Sequence, residues 1–204
     1  MDRSRQPGFT LIELMVTLTV VGILVGAAIP NMRDFMRNNR LTGGVNDLLH
    51  SLQVARTEAI KRQSGNVVVC GTAAPTVADA ALTCDYTTFN GWFVFQDTDG
   101  NWQHSAAEPV IERHALLDAS ITVKTDARDK LVSFAPTGFA TLPGVRSNMG
   151  TLVMCDSRGV VAASAAVSTA RAVLVTATGR ARAASSYADV HNVALPLVQG
   201  GSCP

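Results

Sequence analysis

The sequence predicts an α+β fold, a long N-terminal α-helical spine packed on a C-terminal head of antiparallel β-sheet or β-sandwich. Three observations predict it. From Phe9 to Ile29 the only ionisable side chain is Glu13. After Pro30 the apolar residues recur at helical spacing as far as Ile60, and beyond Gly65 the chain breaks into short β-like runs separated by Gly, Pro, Asn and Asp. With many short strands and no second long helix, one helix resting on antiparallel sheet is the economical architecture.

The first element, residues 9–29, meets the requirement of roughly 20 apolar residues for a helix crossing the hydrocarbon of a bilayer. A cleaved secretory signal is the simpler alternative, with "MDRSR" as its basic region and "GAA" before Ile29 as a small-residue site. Its apolar core, however, would usually run about 7 to 15 residues and hold no acid. A plain membrane anchor explains the length but not the acid. A charge at the bilayer centre costs on the order of 3 kcal/mol, less near one end, and such groups normally have partners. Glu13 therefore needs a cation.

The second element, residues 30–63, is amphipathic. Met32, Phe35, Met36, Leu41, Val45, Leu48, Leu49, Leu52, Val54, Ala55, Ala59 and Ile60 form one stripe, which is read as core facing a domain. Pro30 removes a backbone donor and is expected to kink the helix, and Gly43-Gly44 is a second soft point. The polar, basic run from Thr57 to Gln63 before Ser64-Gly65 marks its end. Arg33, Arg37 and Arg40 lie just past the apolar segment and face lipid phosphates or plain solvent.

The third element is the head, residues 64–204. Strand candidates are 66–70, 91–96, 109–116, 120–125, 130–136, 150–156, 159–165 and 170–183. The segment 71–86 between the first two reads as a loop. Four cysteines, Cys70, Cys84, Cys155 and Cys203, follow an export-like segment, so disulfides are the natural reading. Three pairings are possible, of which Cys70 to Cys84 is favoured as local, leaving Cys155 to Cys203. No two cysteines stand at the spacing of about two to four residues that zinc sites use.

Composition excludes several functions. The net charge is +1, and loss of residues 1–8, with Arg3, Arg5 and Asp2, would balance the charges, so any nucleic-acid role rests on a local patch. His50, His104, His114 and His191 are scattered, without a nucleophile elbow, phosphate loop or dinucleotide fingerprint; no catalytic residue, cofactor or metal is expected. "DTDG" at 97–100 resembles the opening of a calcium loop, and Glu108 occupies its twelfth position. Trp102, however, stands where that loop needs glycine, so an Asp-Gly hairpin turn is expected. In "TATGRARAASSY", 176–187, a strand would put Arg180 and Arg182 on one face, with Gly179 admitting a ligand backbone. Paired guanidiniums suit phosphate oxygens; the alternative is a solvated edge in which they pair with acids such as Asp189. Arg171 and Lys124 would extend such a patch, and Tyr187 would stack on a base or pack on its hairpin.

Two sets of residues carry a resemblance. "GFTLIELMV", Gly8 to Val16, resembles the class III signal of type IV pilins and type II secretion pseudopilins, and Pro30 matches their mid-helix proline. The resemblance implies cleavage of a leader, residues 1–8, between Gly8 and Phe9 by a prepilin peptidase, and N-methylation of Phe9. It also implies an ion pair between Glu13 and the free amine of a neighbour's Phe9 in the fibre, which supplies the missing cation. Downstream, "LQVARTEAIKRQ", "GWFVFQDTDGNW", "SFAPTGFAT" and "TGRARA" are similar, in that order, to the branch containing general secretion protein H, FimT and FimU. That branch implies a helical spine with a β-sandwich head and a role in pilus or pseudopilus assembly. Its partners would be major and minor pilins, an inner-membrane assembly platform and membrane lipid. The chain would cross the bacterial inner membrane once, head in the periplasm, before moving to the pilus surface. Gly179, Arg180 and Arg182 match a G-R-x-R motif associated with DNA binding in FimT-like minor pilins, which implies double-stranded DNA as a further partner in natural transformation. The alternatives are a minor pilin that only primes assembly and a type II secretion pseudopilin.

Overall fold

The computed structural model describes residues 8–85, 89–125, 131–141, 150–162 and 167–194, with Pro30 and Asn31 described by backbone alone. The chain forms two compact units, Met1–Asn39 and Arg40–Pro204. Helix α1, Leu11–Arg62, begins in the first and ends in the second.

In the first unit Thr10 caps α1: its hydroxyl accepts from the backbone N–H of Glu13 at 3.3 Å, an N-cap bond. The Glu13 carboxylate thus lies in the first turn, where the helix dipole favours an anion. The apolar side chains from Leu11 to Ile29 are exposed, and α1 contains a stretch long and apolar enough to cross a membrane. Met32, Phe35 and Met36, expected in the buried stripe, are 58%, 60% and 49% exposed. Among the described residues this unit is a single helix, with no second element to cover them. Arg37 pairs instead with Asp34.

In the second unit α1 buries Leu41, Gly44, Val45, Leu48, Ser51, Leu52, Ala55 and Ala59, steps of three and four that keep one stripe against the head. The helix assignment runs unbroken through Pro30 and Gly43-Gly44. Gly44 is not a soft point but a close contact, since a Cβ there would stand 3.0 Å from Leu117 and 3.4 Å from Met154. The helix stops at Gln63, which takes a left-handed conformation (φ 55°), with Gly65 at φ 68° completing the turn into the first strand.

Two antiparallel sheets complete the head. Strands β1 (Asn66–Thr72), β2 (Gly91–Asp97), β3 (Val110–His114), β5 (Leu131–Phe134) and β6 (Ala140–Thr141) form one, in the order β3-β2-β1-β5-β6. Strands β4 (Thr122–Thr125), β7 (Thr151–Cys155), β8 (Val167–Val175) and β9 (Ala181–Ser186) form the other, in the order β4-β7-β8-β9. The inner faces of both meet α1 in one core that includes Val67, Trp92, Phe134, Leu152, Met154 and Val173. Their outer faces carry smaller cores of their own. Loop 73–85 covers Val68, Phe93 and Phe95 with Leu82, and helix α2 (Tyr187–Ala194) covers Val153, Ala172 and Ala184 with Val190. Central strands buried on both sides read as continuous apolar runs, which is why "VVV" and "WFVF" show no alternation. A polar relay ties helix to sheet: Trp92 donates to Ser51 Oγ at 2.9 Å, Ser51 donates to Glu112 at 2.9 Å, and His114, stacked on Trp92, lies 3.2 Å from Asp47.

Three local expectations change. The expected strand at 159–165 is only an isolated bridge, Ala162 to Ser168, among the described residues. The run 170–183 is two strands of a hairpin rather than one. The short helix α2 was not foreseen, although Ser186-Tyr187-Ala188-Asp189 carries a capping signal: Ser186 Oγ accepts from the Asp189 N–H at 3.1 Å.

Candidate functional site

The arginine pair begins with a turn. Between β8 and β9, Thr176 and Arg180 are joined by backbone hydrogen bonding at 2.9 Å, and the Gly179 N–H donates to the Thr176 carbonyl at 2.8 Å. Gly179 has φ 74°, so Ala177-Thr178-Gly179 is a three-residue hairpin loop whose last residue must be left-handed. The same design recurs between β5 and β6, where Ala135 and Phe139 flank Pro136-Thr137-Gly138 and Gly138 has φ 79°.

The two loops interlock. The Ala140 N–H donates to the Ala177 carbonyl at 3.1 Å, and a Cβ on Gly179 would lie 2.1 Å from the Gly138 carbonyl oxygen. Arg56 of α1 joins both loops, donating to the carbonyls of Gly138 and Thr178 at 3.1 Å each. Gly179 is buried, so the backbone that approaches it belongs to Gly138 of this chain and not to a ligand, which corrects the role expected from the sequence.

Arg180 leaves the loop and Arg182 lies one pleat further, on β9. Ala181 between them packs on the main core, so the two arginines project outward together, about 7 Å apart at the Cα atoms of an extended strand. Both are exposed. Arg182 stands 4.0 Å from Asp189 on α2, both half-exposed, a loose pair of the kind the alternative reading anticipated. Among the described residues Arg180 has no acidic partner within 4.0 Å. The remaining candidates lie elsewhere. Lys124 is on β4, the opposite edge of the sheet from β9, with β7 and β8 between, or about 14 Å by strand spacing. Arg171 is half-buried with its guanidinium on the Ser168 and Ala170 carbonyls; burial and the nearby Arg158 lower its pKa. Tyr187 packs on His191, ring centroids 4.8 Å apart.

The N-terminal candidates have simpler surroundings. A Cβ on Gly8 would meet nothing within 4 Å, and Phe9 is 86% exposed. In the head, Cys70 is bonded to Cys84, Cα atoms 5.6 Å apart, as the local pairing anticipated. Cys155 is a half-cystine, while Cys203 and leader residues 1–7 lie outside the described residues.

The loop after β2 departs from the expected tight turn, running from Thr98 to Pro109. It brings Asp97, Asp99 and Glu108 together, with carboxylate oxygens within 4.8 Å of one another. Each buried carboxylate is occupied by loop donors. Asp97 accepts from the N–H groups of Gly100 and Trp102, and Glu108 from those of Thr98 and Ser105. Burial raises the pKa of Asp97 despite those two bonds. The cluster is a loop scaffold; its spacing from Asp97 to Glu108 was the readable signal. Two of the histidines are used in the head: His104 bridges the Leu82 and Glu108 carbonyls, and His114 stacks on Trp92.

The family model described as type II transport protein GspH matches residues 44–179, and that of the prokaryotic N-terminal methylation motif matches residues 3–29. A fimbrial protein of Pseudomonas aeruginosa is 35% identical over 78 residues, 38% of this chain and 49% of the relative. The type IV major fimbrial protein FimA of Dichelobacter nodosus is 44% identical over 43 residues, 21% of this chain and 27% of the relative. The chain thus spans half or less of the length of these relatives. Among solved structures, the type IV minor pilin FimU of Pseudomonas aeruginosa aligns with a TM-score of 0.48 at 18% identity, covering 75% of this chain and 98% of that one. The minor pseudopilin EpsH of the Vibrio cholerae type 2 secretion system aligns with a TM-score of 0.45 at 11% identity, covering 72% and 97%. With the GspH model covering most of the head and the methylation motif covering the apolar start of α1, the chain belongs to the family of type II transport protein GspH and carries the prokaryotic N-terminal methylation motif.

Proposed function

We propose that this protein is a minor type IV pilin that binds DNA, without reading sequence, through Arg180 and Arg182. Prepilin peptidase cuts between Gly8 and Phe9, the new amine of Phe9 is methylated, and the helix holds the chain in the inner membrane until assembly. In the fibre, Glu13 pairs with the Phe9 amine of a neighbouring pilin. The observation that carries the DNA reading is the outward pair of guanidiniums on a rigid hairpin, of which Arg180 lacks an acidic partner among the described residues. Such forks donate to phosphate oxygens in sequence-independent contacts.

The test is binding of a short mixed-sequence duplex to the full chain in detergent micelles across a salt series. Two phosphate contacts contribute a slope of about 1.8 in log K against log salt. Arg180→Gln with Arg182→Gln should flatten the slope by that amount and weaken binding, while Asp189→Asn, which releases Arg182, should strengthen it. Unchanged binding in the double variant refutes the site. A role as a type II secretion pseudopilin is the second reading, favoured by the description of the matching family model. Failure of enzyme export in a deletion strain, with transformation intact, would establish it.

A further inference from the structure

We infer that Phe139 completes the arginine site as a base-stacking platform, so that the preferred ligand is single-stranded nucleic acid; this rests on the DNA-binding reading above. Phe139 is the flank of the β5–β6 loop and is 52% exposed, a large aromatic surface left in water at the edge of its sheet. The interlocked loops place it beside the arginines. The Gly138 carbonyl lies against Gly179, and bond geometry then limits the separation of the Phe139 and Arg180 Cα atoms to no more than about 10 Å. The side chains all point away from the shared core. Ala140 and Ala181 pack inward on the same core, so on these extended segments Phe139, Arg180 and Arg182 point outward.

An exposed aromatic face beside two cations is the combination by which proteins hold a single strand, with bases stacked on the ring and guanidiniums on the backbone. A duplex keeps its bases stacked on each other and offers only phosphates, so it would engage the arginines and leave Phe139 unused. The hairpin fixes the spacing: Arg56 and the Ala140–Ala177 hydrogen bond hold the loops together, and neither is spent on the ligand.

The experiment titrates the full chain in detergent micelles with a fluorescein-labelled oligothymidylate and, separately, with a mixed-sequence duplex. Three forms are compared: wild type, Phe139→Ala and the Arg180→Gln, Arg182→Gln double variant. The expected result is tighter binding of the single strand by wild type, and a loss of about tenfold for the single strand in Phe139→Ala, the scale of one lost base stack. Duplex binding by Phe139→Ala should stay within about twofold of wild type, and the double variant should lose both ligands. Phe139→Trp supplies a direct signature, because stacking on thymine quenches its emission. Wild-type affinity of Phe139→Ala for the single strand, or unquenched emission from Phe139→Trp at saturation, overturns the inference and leaves the arginine site standing. Absence of binding to either ligand at low salt overturns the arginine site and the platform with it.

Discussion

Replacing Gly179 with alanine tests the interlocked loops directly. Two costs arise at this position. A residue other than glycine in the left-handed region costs about 1 to 2 kcal/mol. The added Cβ would also lie 2.1 Å from the Gly138 carbonyl oxygen, with Arg56 Nε at 3.2 Å, so backbone must move; overpacking of this kind costs about 1 to 3 kcal/mol. The total is about 3 kcal/mol. For a chain of 204 residues that corresponds to a fall of about 10 °C in melting temperature. Gly100→Ala is the control, because Gly100 has φ 76° but nothing within 4 Å of its Cβ position, so only the conformational cost applies and the fall should be about 4 °C. The assay is thermal unfolding of the full chain in detergent micelles followed by the fluorescence of Trp92, which is fully buried in the head. Equal falls in the two variants would refute the close approach of the loops. A stable Gly179→Ala that has lost DNA binding would restore the reading in which Gly179 makes room for a ligand.

Two further outcomes follow from the head. Cys84→Ser opens a loop with a sequence separation of 14 residues and should cost about 3 kcal/mol, read as a lower urea midpoint together with dye binding at the uncovered Leu82 and Phe93 surface. Hydrogen bonds from Arg62 and then Lys61 hold the Glu58 carboxyl below its ordinary pKa. Its contribution is therefore present above the ordinary carboxylate value and is lost as pH falls through the lowered one. Asp97 works in the opposite sense: burial raises its pKa, so its contribution is greatest below the ordinary value and fades as pH rises through the raised one. Glu58→Gln should flatten the acid limb of stability in urea midpoints measured from about pH 6 to about pH 3, and an unchanged limb would show that this pair adds nothing.

Periodicity and residue chemistry settled much of this protein in advance. The apolar run and its lone acid, the buried stripe from Leu41 to Ala59, most strands and the Cys70–Cys84 bond are local signals, because helix and strand periods and short loop closure depend on near neighbours. Equally local signals stand at Thr10-Leu-Ile-Glu13 and Ser186-Tyr-Ala-Asp189, where N-cap hydroxyls start the two α-helices. What sequence could not decide was which surfaces meet. The helical period continues through Met32, Phe35 and Met36, yet burial requires a second element, and among the described residues their unit contains only α1. From the sequence, the glycine of Gly179-Arg180-Ala181-Arg182 reads as room for a ligand within a strand. That room goes to Gly138, 41 residues earlier in the chain by the numbering, whose carbonyl occupies the space a side chain would need. Alternation placed Arg180 and Arg182 on one face, but only the union of two loops from different sheets set Phe139 beside them, since contacts between distant segments are decided by packing around the shared core rather than by any local period.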